Sequence, residues 1–232
     1  METKLLSELI NLRTIGIERF IYKPYSIDSA MRVFKIIGEK KFGQFDIDSD
    51  NEWVIKNLIK WAHGDEMDCL DAQTKKVISG DTSKGIYIAG PTGTGKSWLM
   101  EILSEYLTID NVCALFSGKN IKQLSFAYVT TNKVCLSYKD FGDLDIFIEP
   151  SIFCFQDLGT EQSETLYMGT RTKVMKTILQ ERGDAHNKIT LITSNNGIFD
   201  NEILDLYEDR VVSRLNKMCN YFELKGKDRR IK

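Results

Sequence analysis

The run GPTGTGKS, from Gly90 to Ser97, constrains the fold of this chain more than any other part of the sequence. It matches the pattern GxxxxGK[ST], and a short apolar segment, residues 85–89, comes directly before it. After it, the chain continues from Trp98 with the apolar spacing of a helix. A glycine-rich loop between a buried strand and a helix is typical of α/β proteins with a parallel sheet. The sequence therefore predicts an α/β fold with this loop at the edge of the sheet.

The residue types of the loop suit the binding of phosphate groups. Gly93 and Gly95 allow the backbone to turn and to bring its N–H groups toward an anion. The helix that begins near Lys96 points its positive end at the same place. Lys96 supplies a cation for the β- and γ-phosphates, and Ser97 supplies a hydroxyl for magnesium. The expected ligands are ATP and Mg²⁺. The expected contact residues are Gly90, Pro91, Thr92, Gly93, Thr94, Gly95, Lys96, Ser97 and Trp98.

Short apolar segments that alternate with helical patterns predict the rest of the sheet. The segments predicted as buried strands are residues 85–89, 126–130, 152–155, 189–193 and 221–224. Strands of this kind, separated by helices, form a mostly parallel sheet that helices cover on both faces. Residues 65–84 are polar and irregular, and we expect a surface loop there.

Three helices are predicted before the glycine-rich loop. Residues 4–12 have an amphipathic pattern, which favours either packing onto the body of the protein or docking of a partner. A second helix is expected over residues 29–37, and a third that stops near residue 63. Their expected caps are Ser26 or Asp28 for the second helix and Asp48 or Ser49 for the third.

Overall composition narrows the classes of function. The 232 residues carry a formal net charge of −2, so contact with nucleic acid would need a local basic patch. The five cysteines are scattered without a CxxC pair, which argues against a zinc site and favours buried, reduced thiols. We find neither a signal peptide nor a transmembrane stretch, and the expected location is the cytoplasm.

Polar residues after two later strands complete the candidate site. Asp157 follows an apolar run, as a Walker B acid does, and would hold magnesium or polarise the attacking water. Asn195 follows the strand at residues 189–193 and would orient water or contact the γ-phosphate; a role as a turn residue is the alternative. Arg210 and Arg214 share one face of a helix. They would serve either the nucleotide of a neighbouring subunit or local ion pairs.

Five segments together resemble one known family. They are GPTGTGKS, QDLGTE, TSNN, YEDRVVSRL and LKGKDRR. In this order they resemble the AAA+ helicase loaders of the DnaC type and the related IstB-type transposition helper ATPases. The resemblance covers roughly residues 45–232. It implies a five-stranded parallel sheet in the order 5-1-4-3-2, with no helical lid domain after the core. Residues 1–44 would then form a short helical extension for docking a partner.

The same resemblance assigns roles to individual residues. It implies that Ser97 and Asp157 hold magnesium, that Glu161 is an acid just after Walker B, and that Asn195 is sensor 1. It also implies that Arg214 is an arginine finger with Arg210 as its companion, and that Arg230 is a terminal arginine that reaches the nucleotide. One position departs from the family pattern. Family members have two acids in a row at Walker B, whereas Gln156 stands at the first of them here.

The departure at Gln156 bears on the rate of hydrolysis. An amide offers an oxygen, but it lacks the charge that makes a carboxylate a strong magnesium ligand. Asp157 must then hold the metal shell, polarise the water, or do both. We therefore expect slow hydrolysis, with ATP binding acting mainly as a switch for assembly.

The leading hypothesis is an ATP-dependent loader of a replicative helicase. Subunits would associate through ATP-bridged interfaces, and single-stranded DNA would lie along basic groups. The candidate basic groups are Lys119, Lys122, Lys225, Lys227, Arg229, Arg230 and Lys232. Because many reactions use the same phosphate loop, three alternatives stay open. They are an IstB-like transposition helper that binds DNA, a kinase for a small molecule, and a non-hydrolysing DNA-binding scaffold.

Overall fold

A computed structural model describes residues 17–19, 25–109, 112–116, 120–185 and 187–229. The predicted helix over residues 4–12 lies outside these residues, and so do three of the candidate basic residues, Lys119, Arg230 and Lys232. Among the helices that the structure describes, none is both long and apolar enough to span a bilayer.

The described part of the chain consists of short strands and longer helices in alternation. In chain order the strands are β1 (Ile17–Arg19), β2 (Asp68–Leu70), β3 (Val77–Ser79), β4 (Gly85–Ala89), β5 (Cys113–Phe116), β6 (Asn120–Gln123), β7 (Ala127–Thr130), β8 (Ile152–Leu158), β9 (Thr165–Tyr167), β10 (Thr170–Thr172), β11 (Ile189–Ser194) and β12 (Cys219–Glu223). The helices are α1 (Ile27–Phe42), α2 (Glu52–His63), α3 (Lys96–Ile109), α4 (Thr131–Phe141), α5 (Asp145–Ile148), α6 (Val174–Asp184) and α7 (Asn201–Met218).

The main sheet has the strand order β3-β2-β12-β4-β11-β8-β7. Its strands β12, β4, β11, β8 and β7 all run parallel to their neighbours in this group. Numbered along the chain, these five strands have the order 5-1-4-3-2, so the predicted parallel core is confirmed. Parallel strands place their carboxyl ends at one edge, where the loop after β4 meets the residues that follow β8 and β11.

Two antiparallel strands extend the sheet where the sequence predicted a loop over residues 65–84. Strand β2 pairs with β12, and β3 pairs with β2. Asp71 builds the turn between them, because its Oδ1 accepts the N–H of Thr74 at 2.7 Å. Strands of three residues carry too little periodic pattern to be recognised in a polar stretch. The outer strand β3 leaves Val77 and Ile78 exposed.

Helices cover both faces of the sheet, as predicted. On one face, α1, α2 and α3 contribute Phe34, Leu58 and Leu99 to a buried apolar cluster. On the other face, α6 and α7 contribute Ile178 and Val211 to a second cluster. Helix α1 therefore shares a core with the helix that follows the glycine-rich loop. The division of the chain into an extension and a core at residue 45 stays a prediction.

Helices α1 and α2 lie where they were predicted, but one predicted cap is wrong. Ser26 caps α1, since its hydroxyl accepts the N–H of Ser29 at 3.5 Å. The N-cap residue of α2 is Asn51 rather than Asp48 or Ser49. The amide oxygen of Asn51 accepts the N–H of Asp48 at 3.0 Å, so these residues shape the loop before the helix instead of capping it.

The buried guanidinium of Arg182 joins the elements near the amino ends of β8 and β11. Its side chain is 1% exposed. Its Nε donates to the hydroxyl of Thr190 at 3.0 Å, and its Nη2 donates to the carbonyl of Ile189 at 2.6 Å. Its Nη1 donates to the carbonyl oxygens of Phe147, Ile148 and Pro150 at 3.2, 3.1 and 2.8 Å. One side chain thus links α6, β11 and the segment that enters β8.

Candidate functional site

The glycine-rich loop joins β4 to α3, as the sequence predicted. All three glycines of the loop have positive φ angles, which are 150° at Gly90, 83° at Gly93 and 96° at Gly95. A Cβ atom at Gly90 would overlap the carbonyl oxygen of Leu224, and one at Gly93 would overlap the carboxylate of Asp228. Any other residue would be strained at both φ angles, and at Gly90 it would also collide with backbone.

The ammonium of Lys96 lies at the centre of the loop. The residue is 5% exposed. Its Nζ donates to the carbonyl oxygens of Gly90 and Pro91 at 2.7 and 2.8 Å, and to Oδ1 of Asn195 at 3.0 Å. These three acceptors are uncharged, so a phosphate oxygen would compete well for the same protons. The predicted residues Lys96 and Asn195 are thus in direct contact.

A cavity of about 250 Å³ lies beside this ammonium. Its lining residues are Thr92, Gly93, Gly95, Lys96, Ser97, Trp98, Asp157, Thr160 and Asn195. The structure therefore brings together residues from the loop, from the end of β8 and from the end of β11, as the sequence predicted. Thr160 is the lining residue that sequence reasoning missed, and its position three residues after Asp157 was the available signal.

Three residues of the loop lie away from this cavity. Gly90 and Pro91 line a neighbouring cavity of about 260 Å³ on the side of β12. Thr94 is buried, and its hydroxyl donates to the carbonyl of Pro91 at 2.9 Å. The side chain of Thr94 therefore stabilises the shape of the loop, while its neighbours face the cavity.

The end of β8 is irregular at Asp157. This residue has a φ of 59°, which is left-handed and uncommon for a residue other than glycine. Its N–H donates to the hydroxyl of Thr193 at 3.1 Å, and its carbonyl accepts the hydroxyl of Thr131 at 3.0 Å. Threonines on β11 and α4 thus fix the backbone of Asp157, whose side chain lines the cavity.

Gln156, one residue earlier, is buried in the sheet. It is 6% exposed, and its Nε2 has no hydrogen-bond partner among the described residues. Because side chains alternate along a strand, Gln156 lies on the same face as Cys154, which packs in the cluster of α1, α2 and α3. A buried amide nitrogen without a hydrogen-bond partner costs stability.

Glu161 serves the structure of the loop after β8 rather than the cavity wall. Its Oε2 accepts the N–H of Gly159 at 3.0 Å, and its Oε1 accepts the hydroxyl of Tyr207. Burial raises the pKa of this carboxyl above its usual range. Glu161 is absent from the residues that line the cavity.

Neither of the two predicted arginines of α7 lines the cavity of its own chain. Arg214 forms an ion pair with Asp184 at the end of α6, and its side chain is 18% exposed. Its Nη1 is buried and has no partner among the described residues. Arg210 is exposed, two residues after Glu208, where α7 has non-helical φ and ψ angles of 64° and 159°.

Arg229 lies against the loop, a placement that the sequence did not predict. Its N–H donates to the carbonyl of Gly93 at 2.9 Å, and its Nε donates to the carbonyl of Thr94 at 3.1 Å. Its two terminal nitrogens donate to the two carboxylate oxygens of Asp48 at 2.9 and 2.8 Å. The charge cluster around residue 229 was the available signal, but it could not identify these partners.

Several solved structures have a fold similar to this one. A proposed primosome component from Streptococcus pyogenes serotype M3 is 17% identical, with a TM-score of 0.52 over 81% of this chain and 87% of its own. The DnaC helicase loader is 14% identical, with a TM-score of 0.52 over 79% of this chain and 95% of its own. AMPPCP-bound DnaA from Aquifex aeolicus is 13% identical, with a TM-score of 0.50 over 80% of this chain and 50% of its own.

No protein-family model and no curated protein sequence matches the chain. At the identities of the solved structures, the likeness concerns the fold. The expectation drawn from the resemblance to AAA+ helicase loaders is thereby confirmed at this level. The chain has an α/β fold with a mostly parallel central sheet, similar to the fold of DnaC and DnaA.

Proposed function

We propose that this protein binds ATP with magnesium, hydrolyses it slowly, and acts in DNA replication as a DnaC-like loader of a replicative helicase. The observation that carries the proposal is the cavity of about 250 Å³ at the carboxyl edge of the sheet. Lys96, Ser97, Asp157 and Asn195 come from three separate segments and meet there. This is the combination of cation, hydroxyl, carboxylate and amide that phosphoryl transfer from ATP requires.

The groups around the cavity fit ATP and magnesium. Ser97 and Asp157 offer hydroxyl and carboxylate oxygens, the ligands that Mg²⁺ prefers. When bound, the ion would neutralise charge on the phosphates. Lys96 would exchange neutral carbonyl acceptors for charged phosphate oxygens, which form stronger hydrogen bonds. Asn195, which already touches Lys96, would place its amide beside the terminal phosphate.

The environment of Gln156 supports a low rate of hydrolysis. The amide is neutral where a second carboxylate would strengthen the metal site, so Asp157 is the only carboxylate that lines the described cavity. Gln156 itself does not line that cavity, so it adds no charge at the metal site. With one carboxylate at the site, ATP binding rather than its hydrolysis would act as the switch.

Self-association would complete the site. Arg210 and Arg214 lie outside the cavity of their own chain, and we propose that one of them reaches the nucleotide of a neighbouring subunit. Arg214, the finger implied by the family resemblance, would have to leave Asp184 to do so. An arginine supplied in this way contributes roughly 10³-fold or more to the rate of hydrolysis.

The proposed partners are a replicative helicase and single-stranded DNA, and the proposed location is the cytoplasm. The helicase is suggested by the similarity in fold to a protein described as a helicase loader. For DNA, the exposed Lys122, Lys225 and Lys227 stay candidates. Arg229 is a poorer candidate than the sequence suggested, because its guanidinium is engaged by Asp48.

The test is ATP turnover per subunit over a range of protein concentrations, with and without a single-stranded homopolymer. We expect slow turnover that rises with protein concentration and with DNA, and that Arg214→Ala abolishes this rise. Arg171→Ala is the matched control, since Arg171 is an exposed arginine on β10. Turnover that stays flat with concentration, despite ATP binding, would refute a shared site.

A second measurement addresses the rate itself. Gln156→Asp should increase turnover at saturating ATP, because it restores a second carboxylate beside Asp157. Gln123→Asp, at an exposed position on β6, controls for the added charge. A wild-type protein that already hydrolyses ATP at ordinary rates would contradict slow hydrolysis.

A further inference from the structure

The chain after β12 runs along the glycine-rich loop. We call residues 224–229 the tail strap. At its beginning, the N–H of Leu224 donates to the carbonyl of Ala89 at 2.8 Å, and the Leu224 carbonyl lies against Gly90. At its end, Arg229 contacts the carbonyl oxygens of the loop. The strap therefore follows the loop from the first glycine to the residue before Gly95.

The guanidinium of Arg229 joins three separate parts of the chain. Its Nε is bonded to the carbonyl of Thr94 at 3.1 Å. Its terminal nitrogens form a two-pronged ion pair with Asp48, at 2.9 and 2.8 Å, in the segment that precedes α2. This pair holds the pKa of the Asp48 carboxyl below its usual range. Both ends of the guanidinium are thus engaged, one by the loop and the other by a carboxylate.

The geometry of the peptide bond gives these contacts a consequence for the cavity. In a trans peptide the C=O and the following N–H point in opposite directions, and the described chain contains no cis peptide. Arg229 holds the carbonyls of Gly93 and Thr94, which belong to the same peptide groups as the N–H of Thr94 and of Gly95. Fixing these carbonyls on the strap side therefore fixes the orientation of the two amide groups.

This constraint matters because the loop is otherwise soft. Glycine has the widest range of backbone conformations, and the loop has glycines at three positions with positive φ. A phosphate site works best when its N–H groups are already oriented, since ordering them on binding reduces affinity. Arg229 itself does not line the cavity, so it acts on the site through the backbone and not by contact with a ligand.

We propose that Arg229 is a positioning residue of the phosphate loop, which holds the amide groups of the loop in a binding geometry and anchors them to Asp48. The proposal rests on the proposed function only in its use of ATP as the ligand. It differs from a terminal arginine that reaches the nucleotide, because the partners of Arg229 are all protein oxygens.

The first experiment needs no nucleotide. Hydrogen exchange of the amides of residues 93–97 is compared in the wild type and Arg229→Ala. We expect exchange at least about tenfold faster in the variant, with the strands of the sheet unchanged. Arg171→Ala is the matched control, because it removes one exposed positive charge from β10 and should leave the loop amides unchanged.

The second experiment measures the dissociation constant of a fluorescent ATP analogue with the same variants. We expect about tenfold weaker binding by Arg229→Ala, wild-type binding by Arg171→Ala, and a smaller loss for Asp48→Asn. Arg229→Lys should recover only part of the affinity, since one ammonium cannot serve Asp48 in a two-pronged pair and Thr94 at once. Asp48→Asn also provides the test if Arg229→Ala does not fold.

The two experiments distinguish a failure of the role given to Arg229 from a failure of the proposed function. Unchanged loop exchange and unchanged affinity in Arg229→Ala would overturn the proposal. Equal losses in Arg229→Ala and Arg171→Ala would also overturn it, because they would indicate a general effect of charge. A wild-type protein that does not bind the analogue would refute the proposed function instead. In that case the exchange measurement still decides whether Arg229 orders the loop.

Discussion

Lys96 and Arg182 are two buried cations at opposite ends of the same sheet. Both donate to uncharged oxygens, Lys96 near the carboxyl ends of β4 and β11 and Arg182 near the amino ends of β8 and β11. Their surroundings differ. Lys96 and its acceptor Asn195 line one cavity, and its acceptors Gly90 and Pro91 line the neighbouring cavity. The acceptors of Arg182 belong to segments that pack directly against each other.

This difference separates a binding group from a structural group. The ammonium of Lys96 can exchange its acceptors for those of a ligand that enters the cavity, because Lys96 itself lines that cavity. No ligand can replace the acceptors of Arg182 in this way, because the segments around it are packed together. If its side chain were removed, five oxygens would each lose a hydrogen-bond donor. Burial lowers the pKa of Arg182 to about 10, which leaves it charged at neutral pH.

The largest effect should come from removing the structural cation. Arg182→Leu would leave buried carbonyl oxygens without donors, and we expect the free energy of unfolding to fall by about 3–5 kcal/mol. Urea denaturation measures this loss. Arg171→Leu, at an exposed arginine, should cost under about 0.5 kcal/mol. Similar losses in the two variants would show that Arg182 does not join the segments.

The next effect should appear in binding rather than in stability. Lys96→Ala should weaken ATP binding by about 10- to 100-fold, because it removes a charged donor to phosphate. The free energy of unfolding should change by under about 1 kcal/mol, since the carbonyls of Gly90 and Pro91 lie beside a cavity open to water. Lys188→Ala, at the other end of the sheet, should leave ATP binding unchanged. A large loss of stability in Lys96→Ala would remove the contrast with Arg182.

A smaller effect is expected at the residue that holds Lys96. Asn195→Ala removes the amide that we propose lies beside the terminal phosphate. A single hydrogen bond is worth about 0.5–1.5 kcal/mol, so ATP affinity should fall by about three- to tenfold. Asn216→Ala, at an exposed position of α7, is the control in the same binding titration. Wild-type affinity and wild-type turnover in Asn195→Ala would exclude a role for Asn195 at the nucleotide.

The smallest effect concerns pH. The pKa of Asp48 is lowered in the folded protein by its pair with Arg229. The pair therefore contributes its full stability at pH values above the unfolded pKa of about 3.9. This contribution is lost as the pH falls through the pKa of the folded protein. The stability difference between the wild type and Asp48→Asn should be under about 1 kcal/mol at neutral pH and vanish at lower pH. Urea titrations at several pH values measure it. The acceptors of Arg182 do not titrate, so its contribution should stay constant over this range.

The parts of the site that the sequence predicted are those with a local pattern. Lys96 and Ser97 have fixed spacing within the loop, and Asp157 and Asn195 each follow an apolar strand. Because parallel strands end at one edge, these patterns also predict that the residues meet. The order of the five parallel strands came from the family resemblance, since hydrophobic periodicity alone does not determine it.

The parts that the sequence did not predict depend on distant or weak signals. Arg229 and Asp48 are 181 residues apart, and nothing near either residue indicates its partner. Arg214 was predicted as a finger, but its ion pair with Asp184 joins residues 30 positions apart on two helices. The unpartnered amide of Gln156 was also hidden, because the sequence shows a missing charge but not a buried donor.

Strand β3 has a consequence for how the protein behaves at high concentration. It forms the border of the main sheet, and in the described part of the chain no strand pairs with its outer side. Val77 and Ile78 are 60% and 44% exposed there. An apolar edge strand with unpaired backbone groups can pair with strands of other molecules, although its length of three residues limits such pairing. The solubility of the protein during storage or crystallisation should therefore depend on the edge strand β3. Ile78→Lys is the substitution that should increase this solubility.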